Sequence, residues 1–231
     1  MDLLGLIPAR GGSRGIPGKN IVPLAGKPLL QWTIEQAQAS ERLTRTIVST
    51  DSAAIAAAAQ QLGVPVLDRP AHLAADETPM LDVVRHAIDA TGADAVVLLQ
   101  PTSPLRGARD IDAAIDLWTA SGADSVVSVV RVPHNLTPTS LLRRADDGRL
   151  EPYAGEGESR RQSKPVLYAR NGPAVLVVAA EIVRDGSLYG TESRGYEMSA
   201  LDSIDIDAPE DLELAELLLG RRDRLHRRAP S

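Results

Sequence analysis

A chain of 231 residues, 43% hydrophobic and with a net charge of −6, has the size and apolar content of one α/β domain with its own core. Its 25 basic against 31 acidic residues argue against a general nucleic-acid binder, because phosphate contacts demand an excess of positive charge. The absence of cysteine excludes disulfides, a thiolate nucleophile and thiolate metal sites, and four unclustered histidines argue against zinc.

Residues 3–8 predict a buried strand that feeds the loop I-P-A-R-G-G-S-R-G-I-P-G-K-N at 7–20. Residues 28–40 predict a helix with Leu30, Ile34 and Ala37 on one side, and 46–49 a short strand ending at S-T-D-S. Asp51 or Ser52 can cap the Ala-rich helix that follows, which Gly63 stops. A strand at 64–67 precedes a helix that begins at Thr78-Pro79 and ends at Gly92. The continuous apolar run 95–100 has the mark of a central parallel strand. A helix at 110–121 and a long strand at 124–132 follow. This alternation implies an α/β fold with a mainly parallel sheet and right-handed crossovers.

From 133 to 164 the composition turns charged, Gly-rich and Pro-rich, with poor apolar periodicity. A structureless loop of that length is uncommon inside a compact domain, so an ordered arm that packs on another subunit is expected. Residues 174–179 predict a strand, 202–207 a short edge strand and 209 to about 222 a final helix with a basic tail. With aromatics at 3% and no Phe, the core must be Leu, Val, Ile and Ala. No apolar run approaches the roughly 18 residues of a membrane span. The N-terminus lacks a basic leader, so a cytoplasmic protein is expected.

Four constellations carry chemistry. In the first, Gly11, Gly12, Gly15 and Gly18 alternate with Arg10, Ser13, Arg14 and Lys19, and every charged residue from 3 to 34 is basic. Glycines let backbone N–H groups approach an anion, and arginine and lysine add full charges, so this is a phosphate cradle at a strand end. It matches neither the P-loop pattern, since Asn20 follows Gly18-Lys19, nor the dinucleotide fingerprint. The second is L-L-Q-P-T-S-P-L-R, where Gln100, Thr102 and Ser103 project from a strand end with neutral groups suited to hydroxyls or a base. The third is R-R-Q-S-K-P-V-L-Y-A-R-N-G-P, whose basic residues either hold a carboxylate or form a solvated patch. The fourth is D-S-I-D-I-D, in which strand alternation puts Asp205 and Asp207 on one face. Such a pair suits Mg2+, which takes one or two carboxylates plus substrate phosphates. Asp207 alone also fits a helix capping box, which leaves Asp205 without a role.

All four occur, in this order and at similar spacing, in the CMP-sialic acid synthetases (acylneuraminate cytidylyltransferases), which this chain resembles from residue 3 to about 219. The resemblance implies a three-layer, nucleotide-diphospho-sugar-transferase-like (Rossmann-like) fold. A single nucleotidyltransferase domain would cover 1–231, with 133–164 as a protruding dimerisation arm. It implies an enzyme that joins CTP to a nine-carbon 2-keto sugar acid and releases pyrophosphate, with Mg2+ as cofactor and a homodimer as the working unit. On the matching positions, Arg10, Ser13 and Lys19 would hold the triphosphate in the loop that includes Gly11 and Gly12. Asn20 and Arg69 would contact the nucleotide near cytosine. Gln100 and Asn171, with Thr102 and Ser103 beside the former, would meet the sugar, and Arg161 would approach it from the other subunit's arm. Asp205 and Asp207 match the metal pair.

The implied reaction is in-line attack of the anomeric hydroxyl on the α-phosphorus of CTP, with Arg10, Arg14 and Lys19 stabilising the departing pyrophosphate. Three departures stand out: Arg14 where most members have Lys, Met80 where many have a small hydroxyl residue, and N-G-P-A-V-L-V where N-G-A-I-Y-[IV] is common. The rival readings are a nucleotidyltransferase for another 2-keto sugar acid, a sugar phosphate or a phosphonate, and a nucleotide-binding regulatory subunit without catalysis. An NAD-linked oxidoreductase fails for want of its fingerprint.

Overall fold

The computed structural model describes residues 1–13, 15–154 and 165–226. The first strand, β1 (Leu3–Pro8), is buried at every position, as a strand covered on both faces must be. A short 3-10 turn (Lys19–Ile21) and a two-residue ribbon, β2 (Pro23–Leu24) with β3 (Lys27–Pro28), lead to α1 (Leu29–Gln38). Then come β4 (Arg45–Thr50), α2 (Ala53–Gln61), β5 (Val66–Asp68), α3 (Met80–Thr91), β6 (Ala95–Leu98), α4 (Ala108–Ser121) and β7 (Ser125–Arg131). The second half adds the hairpin β8 (Leu142–Arg144) and β9 (Leu150–Pro152), then β10 (Tyr168–Arg170), β11 (Leu176–Ala179), α5 (Ala180–Arg184), β12 (Ser193–Glu197) and α6 (Pro209–His226).

Eight of these strands form one sheet in the order β10-β7-β11-β6-β1-β4-β5, with β12 also on β7. The pairs β5–β4, β4–β1, β1–β6 and β12–β7 are parallel, and β11 runs antiparallel to both β6 and β7. Helices cover both faces, which makes three layers. Leu3 and Ile7 point to the side of α1, α2 and α4, while Leu4 and Leu6 point to α3 and α5. A third, smaller cluster joins Ile16, Leu24, Leu29, Leu105 and Ile206 under Ala215 and Leu219 of α6. No described helix is long and apolar enough to cross a membrane.

The topology locates the site. From β1 the chain steps outward through β4 and β5, then returns to β6 on the other side of β1. The loops after β1 and β6 therefore leave adjacent strand ends in opposite directions and open a crevice between them.

Most elements of residues 3–132 fall within about two residues of their sequence positions. The strand expected at 174–179 is present as β11, and it joins the sheet antiparallel, because the chain arrives through a long excursion and not a crossover helix. The second half corrects one expectation. Residues 202–207 form no strand. Within the stretch expected to be an arm, 133–154 hold two 3-10 turns and the β8–β9 hairpin, with Leu142, Leu150 and Tyr153 exposed, while 155–164 lie outside the described residues.

Burial separates the sheet core energetically from the exposed β8–β9 hairpin. Leu6→Ala, at 0% exposure, should cost about 2–5 kcal/mol in chemical denaturation. Leu142→Ala, at 56% exposure, should stay within about 0.5 kcal/mol of the parent.

Candidate active site

The glycine-rich loop is pinned at both ends. The Ala9 N–H extends the β1–β4 ladder to the Ser49 carbonyl at 2.9 Å, and the Gly11 N–H donates to Asp51 Oδ1 at 2.9 Å. Gly11 is thus tied to the end of β4. Further on, Asn20 is 9% exposed and donates from Nδ2 to the Arg10 carbonyl at 2.9 Å. Lys19 crosses to the far end of the chain. Its Nζ donates to the Ile206 carbonyl at 2.7 Å and lies 3.2 Å from Asp207 Oδ1. Gly15 is where the two segments touch, since a Cβ there would stand 2.5 Å from the Asp207 carbonyl oxygen.

The stretch 202–207 keeps an alternation without being a strand. The Ile206 N–H donates to the Thr102 carbonyl at 2.8 Å, and the Ile206 side chain fills the third apolar cluster. Asp205 and Asp207 flank it, the first half-buried and the second exposed. Asp211 accepts from the N–H groups of Asp207 and Ala208 at 2.9 and 2.8 Å, so the capping carboxylate of α6 comes from Asp211. Burial, followed by the negative charge of Asp207, raises the Asp205 pKa above the ordinary carboxylate range, against hydrogen bonds from Thr102 and Ser103 and the charge of Lys19. The Ser103 contact is long, 3.5 Å.

A divalent cation fits this pair. A half-buried carboxylate whose charge is disfavoured beside a second carboxylate is relieved by positive charge. Among the described residues no group of three or more His, Asp or Glu could hold a metal. A cation on Asp205 and Asp207 must therefore complete its shell from water and substrate oxygens, as Mg2+ does.

In front of these residues lies a cavity of about 360 Å³. Arg10, Gly12, Ser13, Lys19, Asn20, Arg69, Gln100, Thr102 and Asp207 all line it, together with Met80. Gly11, Ser103 and Asp205 are not among the residues that line it. Arg69 is 5% exposed and gives Nε and Nη2 to Ser49 Oγ and the Ser49 carbonyl at 3.1 and 2.7 Å. Burial lowers its pKa to about 10, with Asp51 opposing and Arg10 adding, and it stays charged at neutral pH. Asn171 is only 6% exposed, and its amide is bonded to Ser128 and Ser203 and not directed at the cavity. Arg14 and Arg161 lie outside the described residues.

Two residues gained their importance only in three dimensions. Asp76 forms an ion pair with Arg10 at the cavity wall. An acidic residue in the loop before α3 gave no sequence signal of that pairing. Arg106 closes the second motif and is 1% exposed. Its Nη1 donates to the carbonyls of Gln100 and Ala174 at 3.2 and 2.8 Å, so it clamps the loop after β6 to the approach to β11. Burial lowers its pKa to about 10, which still leaves it charged at pH 7.

Two sets of variants test this geometry by thermal melting without metal. Gly15→Ala should lose about 1–3 kcal/mol, because backbone blocks the new methyl, whereas Gly12→Ala, which meets nothing within 4 Å, should melt near the parent. The second test is Asp205→Asn. A folded pKa above the unfolded value of about 3.9 means that ionising Asp205 costs stability at neutral pH. Asp205→Asn should melt at or above the parent at pH 7, with the advantage shrinking as the pH falls through the raised folded pKa and gone below about 4; a lower midpoint at pH 7 would contradict the unfavourable buried charge.

The family model "Cytidylyltransferase" matches residues 4–227. The CMP-N,N'-diacetyllegionaminic acid synthase of Legionella pneumophila is 36% identical over 231 residues, covering 95% of this chain and 97% of that protein. The N-acylneuraminate cytidylyltransferase of Escherichia coli is 34% identical over 225 residues, 96% of this chain but 53% of that protein. The chain thus spans about half the length of that relative. In fold, it is similar to a CMP:2-keto-3-deoxy-manno-octonic acid synthetase solved with CTP, at a TM-score of 0.76 and 16% identity over 96% of this chain and 100% of the other. The chain belongs to the cytidylyltransferase family.

Proposed function

We propose that this protein transfers CMP from CTP to the anomeric hydroxyl of a nonulosonic, sialic-acid-like 2-keto sugar acid and releases pyrophosphate. The observation that carries this reading is the gathering of Arg10, Lys19 and Arg69 with the Asp205–Asp207 segment around one cavity. The names of the Legionella and Escherichia coli relatives support a nine-carbon acid as acceptor.

Arg10 and Lys19 draw the triphosphate into the crevice and hold its negative charge, and Arg69 meets the nucleotide near the base. Phosphate competes with Asp76 for Arg10, so nucleotide entry releases that ion pair. The sugar's anomeric oxygen attacks the α-phosphorus, the bond to the bridging oxygen of the β-phosphate breaks, and the hydroxyl proton passes to solvent. Lys19 and Arg10 stabilise the pyrophosphate as its charge grows. Asp205 and Asp207 would hold Mg2+, which when bound supplies charge neutralisation on phosphate and acidifies a coordinated hydroxyl. Gln100 and Thr102, on the β6 side of the crevice, are positioned for hydroxyls of the acceptor. The exposed Leu142, Leu150 and Tyr153 of the hairpin suit contact with a second copy, which supports a homodimer.

Incubation with CTP, Mg2+ and a panel of nonulosonic acids, shorter 2-keto sugar acids and sugar phosphates tests the reading, with mass detection of the product. CMP-sugar and pyrophosphate should form with a nine-carbon acid. Product from a sugar phosphate alone would overturn the acceptor class. Asp205→Asn should reduce turnover at least about a hundredfold while staying folded, and near-normal pyrophosphate release by it would sink the metal role of the pair.

A further inference from the structure

The segment that carries Asp205 and Asp207 belongs to no strand or helix, so something else must hold it in place. At its start the Met198 N–H bonds to the Val129 carbonyl at 2.8 Å, and near its end the Ile206 N–H bonds to the Thr102 carbonyl at 2.8 Å. Between them, Ser203 is tied to the sheet through Asn171. Asn171 Nδ2 donates to Ser203 Oγ at 2.9 Å, and the Ser203 hydroxyl donates to the Ser199 carbonyl at 2.7 Å. On the other side, Asn171 Oδ1 accepts from Ser128 Oγ on β7 at 2.6 Å, and Ser128 Oγ accepts from the Val175 N–H at 2.9 Å.

Every hydroxyl in this chain both accepts and donates, and the polarity runs one way. It requires at position 171 a side chain with an acceptor toward Ser128 and a donor toward Ser203, which asparagine supplies. Ser128 and Asn171 are 0% and 6% exposed, so their bonds lie in the interior. The neighbouring glycine lies close to the Asp205 carboxylate. Gly172 has φ +124°, and a Cβ on it would lie 3.2 Å from Ser103 Oγ and 3.7 Å from Asp205 Oδ1. The Asn171–Gly172 turn therefore holds the carboxylate segment at Ser203 with a side chain and passes near Asp205.

We infer that Asn171 is a positioning residue that sets the Asp205 carboxylate through Ser203, and is not a sugar contact. Ser203 is part of the same device and is not among the described residues that line the cavity. The inference rests on the reading of Asp205 as a metal-holding carboxylate, but not on the identity of the acceptor.

The test uses Ser203→Ala, which removes the tie while keeping Asn171 and its bond to Ser128, and Ser203→Thr, which keeps a hydroxyl. Mn2+ is titrated at saturating CTP with no acceptor present. Binding is followed by water-proton relaxation, which separates Mn2+–CTP on the protein from Mn2+–CTP in solution. Ser203→Ala should weaken the apparent Mn2+ affinity about tenfold while the protein stays folded, and Ser203→Thr should restore most of it. In turnover with a sugar acid, Ser203→Ala should keep its KM for the sugar and recover kcat as Mg2+ is raised. Unchanged Mn2+ affinity in Ser203→Ala overturns the inference. So does a variant Asn171→Ser that raises the sugar KM at parental Mn2+ affinity, the result of a direct sugar contact. A parent protein that binds Mn2+ with CTP but turns over no acceptor refutes the proposed function and leaves the Ser203 comparison intact; a parent that binds no Mn2+ with CTP overturns the inference itself.

Discussion

The contact on which the site depends is the reach of Lys19 to the Ile206 carbonyl and Asp207, which joins residues 187 and 188 positions apart. A loop full of glycine has little structure of its own, and an extended coil with two carboxylates has less. Each becomes ordered by touching the other. The ammonium satisfies a carbonyl that no ladder takes up and offsets part of the charge on Asp205 and Asp207. Gly15 makes the approach possible, because any side chain there would meet the Asp207 carbonyl. The fold brings these two segments together through the small apolar cluster of Ile16, Leu105 and Ile206 beneath α6. A hydrophobic contact thus sets the distance between a cationic loop and an anionic segment.

Charge around the cavity is arranged in opposed pairs. Arg10 faces Asp76, Lys19 faces Asp207, and Arg69 is held by Ser49 within the field of Asp51. Such pairing stabilises a crevice that would otherwise gather three cations from one wall. It also leaves internal anions that a triphosphate can replace. Behind the cavity a second, buried layer does the fixing. Arg106 clamps the loops leading from β6 and into β11, and Asn171 clamps β7 to the carboxylate segment. Flexible loops can hold a demanding geometry because buried polar groups with few alternatives stand behind them.

The parallel half of the sheet was legible because it follows local rules. Strands such as 3–8 and 95–98 are short apolar runs, the helices between them have a clear period, and Ser52 caps α2 through its hydroxyl. Beyond residue 132 those rules weaken. β12 reads S-R-G-Y-E and β10 reads Y-A-R, polar or mixed stretches that pair only because β7 presents an open edge. The segment 202–207 shows the same limit from the other side. Its alternation of Asp205, Ile206 and Asp207 has the period of a strand, yet the spacing is produced by one buried isoleucine and one backbone bond.

The candidate site divides along the same line. Residue type and order alone determined the family resemblance, the basic loop at 7–20 and the carboxylate pair, because those chemistries are written in short contiguous motifs. Tertiary structure alone decided that Asn171 turns its amide into the protein, that Asp76 pairs with Arg10, that Arg106 is buried and that Asp211 takes the capping role from Asp207. The reason is physical. A motif states which groups are available, whereas the direction a side chain takes depends on which partner, far away in the chain, leaves a hydrogen bond or a charge for it to satisfy.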